Sequence, residues 1–122
     1  MKIEVHKEDK TGNVFTLLER LHVAWNGHEF DVPEGFESDG ASVPRFFWRA
    51  VFPPGDSKAL PGAIAHDYLY RTHPTGWSKG MSDAMFYEML TGNGVPKIRA
   101  AAAWAGVHYF GKRSWEQGAG KG

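Results

Sequence analysis

Polar and apolar residues alternate over the first third of the chain, and helical spacing takes over afterwards. Met1 to Glu8 alternates, with Ile3 and Val5 on one face, and predicts a strand. Asp9-Lys10-Thr11-Gly12-Asn13 is a turn cluster. Val14 to Leu18 resumes a strand, richer in apolar residues and so more buried. Leu21 to Trp25 and His28 to Val32 flank Asn26-Gly27, a dipeptide whose residues tolerate the positive φ angles of a tight hairpin turn. A two-residue loop there pairs Trp25 with His28, Val23 with Phe30 and Leu21 with Val32, and puts all six on one face. Pro33-Glu34-Gly35 then ends the strand as a turn.

Beyond this point the period changes. Arg45 to Phe52 has the spacing of one or two helical turns, broken by Pro53-Pro54-Gly55-Asp56. Ser57 is placed to cap a helix that accepts Pro61 in its first turn and runs to about Arg71. His73-Pro74-Thr75-Gly76 is a loop. Ser78 or Ser82 caps the next helix, which carries Met81, Met85 and Met89 on one stripe and runs to about Leu90. Gly92-Asn93-Gly94 closes it. Pro96 opens a last helix from Lys97 to about Phe110, stopped by Gly111, with Gly106 and Ala100 to Ala103 allowing close helix packing. Strands first and helices afterwards predict an α+β domain: a small N-terminal antiparallel sheet of hairpins packed on about three C-terminal helices. The expected boundaries are one domain over residues 1–117 and a loose glycine-rich tail over residues 118–122.

Composition narrows the function classes. The chain has 14 basic and 14 acidic residues, so no global field favours nucleic acid or an anionic membrane. Without cysteine there is no disulfide, thiolate metal site or cysteine nucleophile. The N-terminal alternation is not that of a signal peptide. The longest apolar run, Ala100 to Val107, is too short to span a membrane. A soluble protein made in a cytoplasm is the expectation. Five tryptophans in 122 residues predict an aromatic-heavy core or an adhesive surface.

The chemistry-bearing residues gather between Phe36 and Asp83. Asp39 lies on a tight loop, Ser38-Asp39-Gly40-Ala41-Ser42-Val43-Pro44, and His66-Asp67 lies on the Pro61 helix. Asp39, His66, Asp67 and Asp83 are ligand types that hold zinc, manganese or magnesium, with Asp39, His66 and Asp67 as the candidate catalytic set. Convergence on one site requires the Asp39 and Asp83 carboxylates to approach His66 and Asp67. A structural reading stands beside it. Asp67 and Arg71 are spaced to pair along a helix, Asp39 is placed to cap a turn, and Asp83 sits near a helix start. Ser42, His66 and either Asp67 or Asp83 are the residue types of a hydrolase triad, but there is no Gly-x-Ser-x-Gly elbow. The all-helical His-Asp phosphohydrolases need an upstream helical histidine, and His22 and His28 fall on predicted strands. His6 is likewise on a strand or at the surface, His73 is a loop residue, and His108 on the last helix could join the cleft. Arg45, Arg49 and Lys58 near Phe46, Phe47 and Trp48 form too small a cluster to read as a nucleic-acid groove.

Three stretches together are specific: Val32-Pro33-x-Gly35-Phe36-x-Ser38-Asp39-Gly40-Ala41-Ser42-Val43-Pro44, then His66-Asp67-Tyr68-Leu69-Tyr70, then Asp83 with Phe86. From about Phe15 to Trp115 the chain resembles the family catalogued as domain of unknown function 1353. Members of that family are found largely in tailed bacteriophages and prophages, so the resemblance implies a phage or prophage origin. The preferred expectation is a phage protein with a polar cleft that binds a divalent metal (zinc, manganese or magnesium) and hydrolyses a host polymer such as cell-wall peptide. The alternative is a non-enzymatic virion or assembly protein that docks on another phage protein. A third reading is an inhibitor of a host defence protein.

Overall fold

The computed structural model describes residues 3–8, 12–38 and 58–121, and the side chains of residues 15–38 and 58–117 within them. Asp39, Ser42, Ser57 and the turns expected at Arg45 to Phe52 lie outside the described residues, but the helix for which Ser57 is the expected cap starts at Leu60 with Ala59 as its N-cap and no side-chain cap bond. The chain divides into two compact units, Met1–Gly40 and Ala41–Gly122.

The first unit is all β. Strands β1 (Ile3–Glu8), β2 (Gly12–Leu17) and β5 (Glu37–Ser38) form one antiparallel sheet in the order β1-β2-β5, and β3 (Leu21–Trp25) and β4 (His28–Val32) form another. The hairpin register is the one its turn demands: Trp25 pairs with His28, Val23 with Phe30 and Leu21 with Val32. Asn26 at φ 49° and Gly27 at φ 80° make the turn whose twist matches that of the strands. Val23 and Val32 are buried on the apolar face, while His22, Ala24, Glu29 and Asp31 are exposed on the other. Strand β5 has no counterpart in the sequence reading, because two residues are too few to show a period. It is brought to β2 by the preceding turn. Gly35, at φ 87°, donates to the Leu17 carbonyl at 2.7 Å, and the Leu17 amide donates back to Phe36 at 3.0 Å. Phe15 and Leu17 of β2 are buried.

The second unit is helical: α1 (Leu60–Thr72), α2 (Lys79–Gly92), α3 (Lys97–Phe110) and α4 (Lys112–Lys121). Helix α1 carries Pro61 in its first turn, where no amide is needed, and ends at His73 in the left-handed conformation. Of the two candidate caps of α2, Ser78 takes the role: its hydroxyl accepts from the Met81 amide at 3.2 Å. Ser82 lies inside the helix and donates to the Ser78 carbonyl. The core joins Ala59 and Ala63, Phe86 and Leu90 of α2, Val95, and Ala100, Ala103 and Val107 of α3. Gly62 lets α1 and α2 approach closely, since a methyl group there would lie 3.3 Å from Met89 Cβ. Met85 is buried, and Met81 and Met89 are half-buried on either side of it.

Helix α3 stops at Phe110 with Gly111 as its C-cap, as expected, but it is not the last helix: α4 follows at once, so Gly111 is also a corner. Gly111 sits at φ −90°, ψ 0°, not in the left-handed region that terminates helices. Its amide still donates to Val107, and its carbonyl accepts from Trp115 to start α4. A β-carbon at Gly111 would clash with the Val107 carbonyl and come within 3.1 Å of the Tyr70 hydroxyl, so packing selects glycine there. Among the described residues no helix is long and apolar enough to cross a membrane.

Candidate functional site

Helical spacing sets up the centre of the second unit. His66 and Tyr70 are four apart on α1 and share a face; Lys79 and Asp83 are four apart on α2 and do the same. Packing α1 on α2 brings the two faces together around Asp83, whose side chain is fully buried. An ionised carboxylate only accepts, so each neighbour donates to it. His66 Nε2 donates to Oδ1 at 2.8 Å, and the Tyr70 hydroxyl donates to the same oxygen at 2.5 Å. Lys79 Nζ donates to Oδ2 at 2.8 Å.

Lys79 extends the cluster to a third helix. Its ammonium also donates to the carbonyls of Val107 at 2.9 Å and His108 at 3.0 Å. Both carbonyls belong to the last turn of α3, where the helix dipole favours a cation; the Val107 carbonyl also accepts from the Gly111 amide. One ammonium therefore neutralises Asp83 and caps α3. His108 Nδ1 stands 3.7 Å from Asp83 Oδ2, which places this histidine at the edge of the cluster. The His66 ring lies between the rings of Tyr70, at 4.1 Å, and Phe86, at 4.7 Å. Tyr70 meets the edge of Trp115 at 5.2 Å, and Trp115 stacks on His73 at 3.6 Å while its carbonyl accepts from His73 Nε2. Helix α4 is thereby tied to α1.

The electrostatics follow from this shell of donors. Burial alone would push the Asp83 carboxyl upward; the hydrogen bond and charge of His66, then the bonds from Lys79 and Tyr70, outweigh it and hold Asp83 below the usual carboxylate range. Burial, with the Asp83 charge and hydrogen bond behind it, drives the Tyr70 phenol far above its ordinary value, so Tyr70 remains a donor.

Of the residues singled out from sequence, the structure joins His66 to Asp83. Asp67 is next to His66 in sequence and so roughly 100° round the helix. It is buried, and Arg71 Nη2 stands 3.2 Å from its Oδ2, the pairing along the helix that the spacing allows. Asp39 and Ser42 lie outside the described residues. Among the described residues no three His, Cys, Asp or Glu side chains form a metal-holding group. Sequence reasoning missed Lys79 and Tyr70. Both were legible as partners at four-residue spacing, Lys79 to Asp83 and Tyr70 to His66. Capping of α3 by Lys79 had no local signal.

The family described as protein of unknown function, DUF1353, matches residues 15–107, from β2 to the last turn of α3, and the match contains His66, Tyr70, Lys79 and Asp83. The uncharacterised protein y4jT of Sinorhizobium fredii is 34% identical over 88 residues, which cover 70% of this chain and 25% of that protein. The uncharacterised protein y4iH of the same organism is 26% identical over 92 residues, covering 75% of this chain and 38% of its own length. The chain thus spans between a quarter and two fifths of these relatives. No solved structure matches. With the match covering most of its length and the buried cluster inside it, the chain belongs to the DUF1353 family.

Proposed function

We propose that this chain is a non-enzymatic interaction protein, of the virion or assembly kind that the phage resemblance suggests, and that the Asp83 cluster is its internal brace. The observation that carries this reading is the saturation of the cluster. All three Lys79 ammonium protons have acceptors, and both Asp83 oxygens accept charged or strongly polar donors inside the fold. Such a network, fully satisfied, specifies how helices pack. The Lys79 ammonium, 2.8 Å from Oδ2, argues against a divalent cation on Asp83 itself. The test is a melting curve of the purified protein with chelator and with added zinc, manganese or magnesium, alongside its metal content. The brace melts at the same temperature in every case. A chelator-sensitive midpoint and a stoichiometric metal would sink it.

The second reading is a metal-dependent hydrolase with Asp39, His66 and Asp67 as the holding and catalytic set. It is favoured by the buried 2.8 Å bond from His66 to Asp83, because a carboxylate on one imidazole nitrogen orients the other toward a ligand. Bound zinc, manganese or magnesium would supply a water of lowered pKa. The same melting experiment separates the two readings.

A further inference from the structure

The exposed face of the β3–β4 hairpin carries a charged cluster of its own: His22 from β3, and Glu29 and Asp31 from β4. Strand alternation places them there, opposite the face that buries Val23 and Val32. The Asn26-Gly27 turn then sets their register. His22 stands directly across from Asp31. The next pair on this face is Ala24 with Glu29, and the alanine fills little of its position, so the imidazole and the Glu29 carboxylate can meet on the diagonal.

The ring is approached at both nitrogens. Nδ1 is hydrogen-bonded to Asp31 Oδ1 at 2.7 Å, and Nε2 stands 3.4 Å from Glu29 Oε1. A neutral imidazole has one N–H and one lone pair. With its proton on Nδ1, it turns the Nε2 lone pair toward a carboxylate oxygen that also carries only lone pairs. With its proton on Nε2, it does the same to Asp31 at shorter range. The imidazolium, a donor at both nitrogens, suits both neighbours. Arg20, from the bend before β3, stands 4.0 Å from Asp31 Oδ2, the oxygen that His22 does not use. The Asp31 hydrogen bond, with the Asp31 charge and Glu29 behind it, outweighs desolvation and raises His22 above the ordinary histidine value.

We infer that His22 is a pH-operated clip on this hairpin: its protonated ring ties Asp31 and Glu29 of β4 to β3, and loss of its proton breaks the bridge. The clip sits one pair from the end of the ladder away from the turn, Leu21 with Val32, where fraying begins. Because the folded value is the raised one, its contribution is fully present below the unfolded value, about pH 6.5, and is lost as pH rises through the folded value. The clip belongs to the first unit and depends on neither reading of the Asp83 cluster.

The test is an NMR titration of the isotope-labelled chain. It reads the His22 imidazole and the amide protection factors of residues 21–25 and 28–32, with His22→Gln used to assign the ring. The His22 midpoint of the parent should lie above that of the urea-unfolded chain. Asp31→Asn and Glu29→Gln should each lower it, Asp31→Asn by more. Protection in the hairpin should fall roughly two- to fivefold as pH rises through the midpoint, and His22→Gln should lack that fall. All three side chains are exposed, so the variants keep the fold, and their melting curves check this. A His22 midpoint equal to the unfolded one, or unmoved by both carboxylate substitutions, would overturn the clip. So would a raised midpoint with protection that ignores pH, which would show carboxylates that attract a proton without holding the strands. A hairpin unprotected on both sides of the midpoint would overturn it as well.

Discussion

Replacing Lys79 with methionine keeps the aliphatic stem and removes the ammonium. Three charge-assisted hydrogen bonds go with it: to Asp83 Oδ2 at 2.8 Å, to Val107 at 2.9 Å and to His108 at 3.0 Å. Asp83 stays fully buried and keeps only His66 and Tyr70, while two carbonyls at the end of α3 lose their cap. Breaking a buried ion pair from one side costs roughly 3–5 kcal/mol. The Lys79 side chain is 19% exposed, so water takes part of its place and the lower figure applies, about 3 kcal/mol. In a domain of this size that lowers the melting midpoint by roughly 12–24 °C. The assay is helical circular dichroism against temperature at neutral pH, with Asp83→Leu and the double variant beside it. The double variant should recover part of the loss, because apolar groups of similar volume replace a buried pair at little cost. A Lys79→Met protein within about 0.5 kcal/mol of the parent, the range of ordinary surface substitutions, would show that the ammonium is a rim charge and that Asp83 does not depend on it.

Tyr70→Phe should cost about 1.5–3 kcal/mol, the net worth of a hydrogen bond to a charged group, and the phenol absorbance of the parent should show one tyrosine that ionises only on unfolding. Because the folded Asp83 carboxyl lies below its unfolded value, its stabilisation is fully present above about pH 4 and is lost as pH falls through the folded value. Acid melts of the parent and Asp83→Asn should therefore converge below that range and diverge above it, and parallel profiles would refute the linkage. Gly111→Ala should destabilise by about 1–3 kcal/mol, because the new methyl meets the Val107 carbonyl and the Tyr70 hydroxyl; calorimetry showing stabilisation would mean that the α3–α4 corner yields easily.

Features governed by near neighbours were legible in the chain itself. Asn26-Gly27 dictates a turn of one hand and length, and the alternation on either side then admits one register, Trp25 to His28 through Leu21 to Val32. A serine cap on α2, Pro61 in a first turn and the α+β order follow from the same short-range rules. Even the Asp67–Arg71 pair is a matter of helical spacing. Other features were decided by tertiary structure. Ser78 and Ser82 were equal candidates until the helix start was placed. Gly111 ends α3 as expected, but the sequence does not say whether a glycine's freedom or its lack of a side chain is being used; the nearness of Tyr70 decides for the second. His66 and Asp83 are 17 residues apart, and Lys79 lies 28 residues from the Val107 carbonyl it caps. No periodicity reaches that far. These groups meet because burying the apolar faces of α1, α2 and α3 draws Asp83 out of water, and a carboxylate without water must take its hydrogen bonds from whatever donors the packing brings to it.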